Sequence, residues 1–240
     1  MNDYLRARNV PAKGDSKFKE NKTFDRSIVI DMLVDPSSAK DHSTLHDSQL
    51  ADEIIMLLSA GNDTVSNVLI IGTYNILRTP DIYAKVNEEI LSAFPALAED
   101  ITYDKAKKLP FLTAVIKEML RVSSPLPGLS PRVVPPEGFR LYGEHIPGGT
   151  IINTSAYLLN RHPSVFPDPD TFDPSRWLNQ DSAHLDKYMT SFYRGTRQCL
   201  GKEVAFCEMY TFLANLFRRF ELEIWDTTDK DMQWIDLLMT

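Results

Sequence analysis

Apolar positions recur at helical spacing through the first half of the chain, whereas after residue 130 they come in short runs cut by proline and glycine. Asp47 and Ser48 each offer a side chain that caps a helix start. From there the pattern predicts one long helix to about residue 78, stopped by Thr79-Pro80. Two amphipathic helices are predicted next, over about residues 82–94 and 111–122, the second closed by Ser124-Pro125-Leu126-Pro127. Ahead of them the pattern predicts a short apolar helix over residues 28–33 and a loop over 36–43. Residues 1–25, lysine-rich and without apolar periodicity, read as a flexible entry segment.

In the second half, Arg132-Val133-Val134, Phe139-Arg140-Leu141 and Thr150-Ile151-Ile152 are strand-like. They are separated by Pro135-Pro136, Tyr142-Gly143 and Pro147-Gly148-Gly149, which predicts one small β-sheet. A proline-rich connection over residues 163–191 has a length that, in a compact protein, usually marks either a functional segment or a missed element. A final helix is predicted over residues 200–219. The expected fold class is mainly α with a small β-sheet, α+β.

Composition narrows the class without naming it. With 240 residues, 43% hydrophobic and 25% charged, the chain lies outside the collagen-like, disulfide-scaffold and wholly disordered ranges. Lysine and arginine number 26 against 33 aspartates and glutamates, a net charge of -7, and no polybasic block occurs, so no nucleic-acid partner is expected. The first residues lack the apolar core of a signal peptide or anchor, and nothing there directs export. Residues 54–71 are the most apolar stretch, but Gly61-Asn62-Asp63-Thr64 breaks it, so it reads as a buried helix and not as a membrane span. Cys199 and Cys207 are the only cysteines, and neither a disulfide framework nor a structural zinc site is expected from them. On one helix they stand ~12 Å apart, beyond the reach of a disulfide.

The chemistry concentrates in Phe192-Tyr193-Arg194-Gly195-Thr196-Arg197-Gln198-Cys199-Leu200-Gly201, a glycine-flanked cysteine loop that opens into a helix. Sulfur at a helix N-terminus faces unpaired N–H groups and the positive end of the dipole, an environment suited to a thiolate. Gly195 and Gly201 allow tight turning and close approach of a flat ligand, and Arg197 is placed to reach an anionic group on it. This loop resembles the heme-binding loop of the cytochrome P-450 superfamily, F-x-x-G-x-R-x-C-x-G, at Phe192, Gly195, Arg197, Cys199 and Gly201, with Ala205 extending the match. Three further segments resemble the family in order and spacing. They are Ala60-Gly61-Asn62-Asp63-Thr64 (A-G-x-D-T), Glu118-Met119-Leu120-Arg121 (E-x-x-R) and Phe172-Asp173-Pro174-Ser175-Arg176-Trp177 (P-x-R-W).

The resemblance implies heme b as cofactor, with Cys199 as axial ligand of the iron. It implies that Ala60 and Gly61 leave room over the heme, which would explain a mid-helix glycine that costs about 1 kcal/mol relative to alanine. It further implies that Asp63 and Thr64 relay protons toward bound dioxygen, that Arg132 contacts a heme propionate, and that Arg197 binds the cofactor. Glu118 and Arg121, at i and i+3 on one helix face, are implied to form a buried structural network with Arg176 that braces the cysteine loop. Cys207 reads as core, and His162 as a hydrogen-bonded loop residue. Arg194 and Lys202 present positive charge either to an electron-donor protein or simply to solvent.

The resemblance covers about residues 47–225, the C-terminal half of a family member, with a fungal-like texture. Residues 1–240 are thus expected to form one partial domain, with the N-terminal strands, the helices that roof the substrate pocket and the final hairpin outside it. Helix faces that pack on that other half are expected to remain as apolar surface. The implied activity is a monooxygenase of secondary metabolism that inserts one atom of dioxygen into a small, apolar organic substrate. Its electrons are implied to come from NADPH indirectly, through a cytochrome reductase-type donor. The alternatives are a heme-thiolate isomerase or dehydratase, against which Asp63-Thr64 argues, and a non-catalytic fragment. The implied location is intracellular, on the endoplasmic reticulum membrane in many members, although no anchor occurs in this chain.

Overall fold

A computed structural model describes Leu33, residues 45–96 and residues 98–233. The entry segment, the predicted loop over 36–43 and all of the predicted helix over 28–33 except Leu33 lie outside the described residues. The chain divides into two compact units, Met1–Ala60 and Gly61–Thr240.

In the first unit the described residues form the opening turns of α1 (Asp47–Leu77). The start is capped differently from the expectation. Neither Asp47 nor Ser48 is the cap; the backbone N–H of His46 donates to Gln49 Oε1 at 3.0 Å, and Leu50 N donates to His46 O at 2.9 Å. This is the reach-back half of a capping box, with glutamine in the third helical position. Ile55, Met56 and Leu58 are 65%, 66% and 67% exposed, so this arm is not the buried helix that its composition predicts.

In the second unit α1 buries Val65, Val68 and Ile76 at spacings of three and eight residues, along one stripe. By length and composition alone α1 is the one described helix able to cross a membrane, yet this stripe packs into the protein core. That core joins α1 to α2 (Pro80–Ala93), α4 (Pro110–Ser123) and α6 (Lys202–Arg219). Val86 and Ile90 come from α2, Leu112, Val115, Ile116 and Met119 from α4 (the i, i+3, i+4, i+7 pattern), and Met209, Leu213 and Phe217 from α6, the α2 and α6 sets at intervals of four. Gly72 of α1 lies against Met119, where an added Cβ would collide with the methionine side chain. A short helix, α3 (Tyr103–Ala106), enters this core through Ala106.

α4 begins with Pro110, and its N-cap, Leu109, has no side-chain acceptor. The missing acceptor comes from α2: Glu89 Oε1 and Oε2 accept from Phe111 N and Leu112 N, both at 2.8 Å. The helix ends at Ser124, whose φ of 42° is left-handed, just before Pro125.

The single predicted sheet is resolved into two antiparallel ladders. β1 (Leu129–Val133) pairs with β4 (Ile151–Ser155), with Leu129 opposite Ser155 and Val133 opposite Ile151. β2 (Phe139–Leu141) pairs with β3 (Glu144–Ile146) around Tyr142-Gly143, both at positive φ, the geometry of a two-residue hairpin. β3 escaped the sequence reading because Glu144-His145-Ile146 has no apolar run. After α5 (Ala156–Asn160), the proline-rich connection proves to be ordered by 3₁₀ turns at Pro174–Trp177 and Gln180–Lys187. The fold class is the expected one, mainly helical with small antiparallel sheets.

Candidate functional site

The cysteine loop is built by its own backbone. Tyr193 and Gly195 take positive φ, 55° and 78°, and Gly195–Arg197 forms one 3₁₀ turn. Gln198 N then donates to Gly195 O at 3.0 Å, and Cys199 N to Phe192 O at 2.9 Å. The loop is therefore closed across its base, and α6 starts three residues after the cysteine rather than at Leu200. Phe192 fastens it to that helix, its ring 5.3 Å from the ring of Phe206. Cys199 is exposed, and beside it Leu200 is 95% and Val204 61% exposed. A carbon placed at the Cβ position of Gly195 or Gly201 would meet nothing within 4 Å. Arg197 is also exposed.

Behind the loop lies a buried ionic cluster. Arg121 and Glu118 are both fully buried and pair through two hydrogen bonds, Nε to Oε2 at 2.9 Å and Nη2 to Oε1 at 2.7 Å. Arginine has five N–H donors, and Arg121 uses all of them. The other three go to the carbonyls of Asn160 at 3.1 Å, Pro169 at 2.6 Å and Thr171 at 3.0 Å. Glu118 accepts two more bonds, from Trp177 Nε1 and Asp173 N, both at 2.9 Å. Arg176 approaches Glu118 with Nε 3.4 Å from Oε1, too poorly aimed for a hydrogen bond, and donates instead to the carbonyls of Pro167 and Asp168.

Asn160 links this cluster to the loop. Its carbonyl holds Arg121, its Oδ1 accepts from Thr190 N at 3.2 Å, and its Nδ2 donates to Ser191 Oγ at 3.0 Å. Ser191 Oγ donates in turn to the Leu120 carbonyl of α4, 2.9 Å away. Sequence reasoning singled out neither Asn160 nor Ser191 for this position, since only their contacts across some thirty and seventy residues distinguish them from ordinary loop polar residues.

The remaining candidates lie elsewhere. Ala60, Gly61, Asp63 and Thr64 follow one another near the middle of α1; Gly61 has open space around its Cβ position, and exposed Asp63 accepts from Asn62 Nδ2 at 3.0 Å. Arg132 is exposed on β1, with Nη1 donating to the carbonyl of Pro131 at 2.8 Å. His162 Nδ1 lies 2.7 Å from Ser164 Oγ, and Cys207 is half-buried rather than core.

The cysteine loop, closed at its base and opening into a long helix, is tied to a buried Glu–Arg pair two helices away, and the chain belongs to the cytochrome P450 family. The family model described as "Cytochrome P450" matches residues 8–240. Among curated relatives, cytochrome P450 monooxygenase sol6 of Alternaria solani is 52% identical over 179 residues, covering 75% of this chain and 39% of the relative. Cytochrome P450 monooxygenase aneF of Aspergillus aculeatus is 36% identical over 234 residues, 98% of this chain and 46% of the relative. A crystal structure of a cytochrome P450DA mutant heme domain shares the fold with a TM-score of 0.70 and 24% identity, covering 83% of this chain and 45% of that one. The chain thus spans about half the length, or less, of the relatives it matches.

Family membership implies heme, and the residues present fit it. Cys199 offers a soft sulfur donor at an open face with two exposed apolar neighbours, room for a flat apolar macrocycle. Among the described residues no three His, Cys, Asp or Glu side chains cluster to hold a bare metal ion.

Proposed function

We propose that this chain supplies the heme-thiolate and proton-delivery part of a monooxygenase that inserts one atom of dioxygen into a small, apolar organic substrate. The observation that carries the reading is the exposed Cys199 sulfur in a loop closed by its own backbone. Heme, when bound, supplies the iron centre at which dioxygen is activated. Cys199 would hold it through its sulfur, while Phe192, Gly195 and Gly201 would keep the loop shallow enough for a ring to lie against it. Arg197 and Arg132 take the propionates. Ala60 and Gly61 leave the helix thin where the substrate side must be open, and Asp63 and Thr64 deliver protons from solvent. Glu118, Arg121 and Arg176 touch none of the reacting atoms and position the loop. Electrons come from NADPH through a reductase-type protein, which places the enzyme inside the cell, and the curated fungal relatives support a role in secondary metabolism.

The test is the reduced, carbon-monoxide difference spectrum of the full chain produced with heme supplied. The parent and Cys207→Ala are expected to show the red-shifted Soret band of thiolate ligation, and Cys199→Ala to lose it. Loss in Cys207→Ala with retention in Cys199→Ala would overturn the assignment.

A further inference from the structure

Beside the cysteine loop, against α4 and the 3₁₀ turn Gln180–Lys187, the chain walls a cavity of about 420 Å³. Of the residues placed at the heme only Phe192 lines it; Cys199, Glu118, Arg121 and Arg176 do not. The floor is apolar: Leu120 is buried, and Phe192 and Phe206 are half-buried with their rings tilted against each other. The rim carries Lys117, Arg194 and Lys202 against one carboxylate, Asp186. That carboxylate is already neutralised, because Lys117 Nζ donates to its two oxygens at 2.8 and 3.0 Å.

Two cations remain. Arg194 donates to the backbone carbonyl of Asp186, a neutral acceptor, and Lys202 at the start of α6 has no acidic partner among the described residues. Two uncompensated positive charges therefore stand at the mouth of an aromatic-floored cavity, whose volume lies within the ~300–1,000 Å³ of small-molecule sites. A neutral apolar molecule would satisfy the floor and ignore the rim; a bare inorganic anion would do the reverse. A molecule with both parts uses both, since a carboxylate accepts paired bonds from a guanidinium and an aryl ring stacks on tilted phenyl rings.

We propose that this cavity binds a small aromatic organic anion, an aryl carboxylate, with its ring on Phe192 and Phe206 and its carboxylate between Arg194 and Lys202. The site needs no heme.

Titration of the full chain with 2-naphthoate and, in parallel, with its neutral isostere 2-naphthamide, followed by isothermal calorimetry, tests it. The acid is expected to bind at one saturable site about tenfold more tightly than the amide. It is expected to weaken about tenfold in the double variant Arg194→Gln/Lys202→Gln and on raising salt from about 50 to about 500 mM. Cys199→Ala should bind it as the parent does, which separates this cavity from the thiolate face. Equal affinity for acid and amide, or parent-like affinity in a double variant with a parent-like melting curve, would overturn the proposal. Should the double variant not fold, the acid-to-amide ratio of the parent decides alone.

Discussion

Replacing Arg121 by lysine keeps a positive charge beside Glu118 and removes the planar fork, so it isolates what the fork does. Lysine has three donors against five, from a single nitrogen. That nitrogen cannot serve both Glu118 oxygens and the carbonyls of Asn160, Pro169 and Thr171 together. At least two buried acceptors lose their partner, at about 1–3 kcal/mol each. A loss of about 4 kcal/mol corresponds to a fall in Tm of roughly 8–16 °C for a chain of this size. Arg121→Ala is more severe: it leaves the Glu118 carboxylate fully buried without its cation, a loss of about 3–5 kcal/mol from the pair alone. Against a total stability of ~5–15 kcal/mol, that variant is expected not to hold its fold. Arg176→Lys is the control, because Arg176 holds two carbonyls and only approaches Glu118 at 3.4 Å; its loss is expected at about 1–2 kcal/mol. Far-UV circular dichroism melts give the order, and limited proteolysis over residues 160–199 shows whether the loop loosens with it. A melt of Arg121→Lys within about 2 °C of the parent, or a larger fall for Arg176→Lys, would refute the reasoning.

Gly72 and Gly61 share one helix but should respond to alanine with opposite signs. Gly72→Ala drives a methyl into fully buried Met119 and is expected to lose about 1–2 kcal/mol net, while Gly61→Ala, in open space, gains up to about 1 kcal/mol; melts that shift the same way contradict this. Glu89→Ala strips two backbone donors of α4 of their acceptor and is expected to cost about 1–2 kcal/mol in urea unfolding, with Glu89→Gln losing less; no change in midpoint would remove the cap from consideration. Burial raises the Tyr210 phenol above its usual value of 10.0, and the hydrogen bond with Thr113 pulls it back in part. The folded state thus favours the neutral phenol, and this contribution is intact below pH ~10 and lost as pH rises through the elevated value. Urea midpoints at pH 9 and 11 should fall in the parent and fall less in Tyr210→Phe; an equal fall in both would assign the effect to other groups.

The helices were legible because their apolar stripes are long: α2, α4 and α6 lie within about two residues of where periodicity, proline and glycine place them. Gly195 was legible as a loop residue, since a turn at positive φ calls for glycine, whereas Gly201 has an ordinary negative φ. Other features follow from contacts that no local pattern encodes. Gly61 drew notice as a costly mid-helix glycine, yet the glycine with a packing reason is Gly72, and only the position of Met119 reveals it. The cap of α1 was read one or two residues late, because Gln49 reaches back to His46, whereas the acceptor for the start of α4, Glu89, reaches across from another helix. The connection over 163–191 looked structureless because carbonyls order it, and a carbonyl is common to every residue type.

The loan of Glu89 to α4 also bears on the order in which the chain folds. A helix that starts at proline with no acceptor of its own has an open first turn, and a nucleus that short is unfavourable in water. α4 is therefore expected to complete its first turn only once α2, some twenty residues upstream, has docked. The Glu118–Arg121 fork sits two turns further along the same helix, so the carbonyls of residues 160–171 are gathered by a helix that is already in place. Formation is therefore expected to run from the α2–α4 contact outward to the cysteine loop. Slowing the first step by Glu89→Ala should delay protection of Cys199-loop amides in pulsed hydrogen exchange, although Glu89 touches none of them.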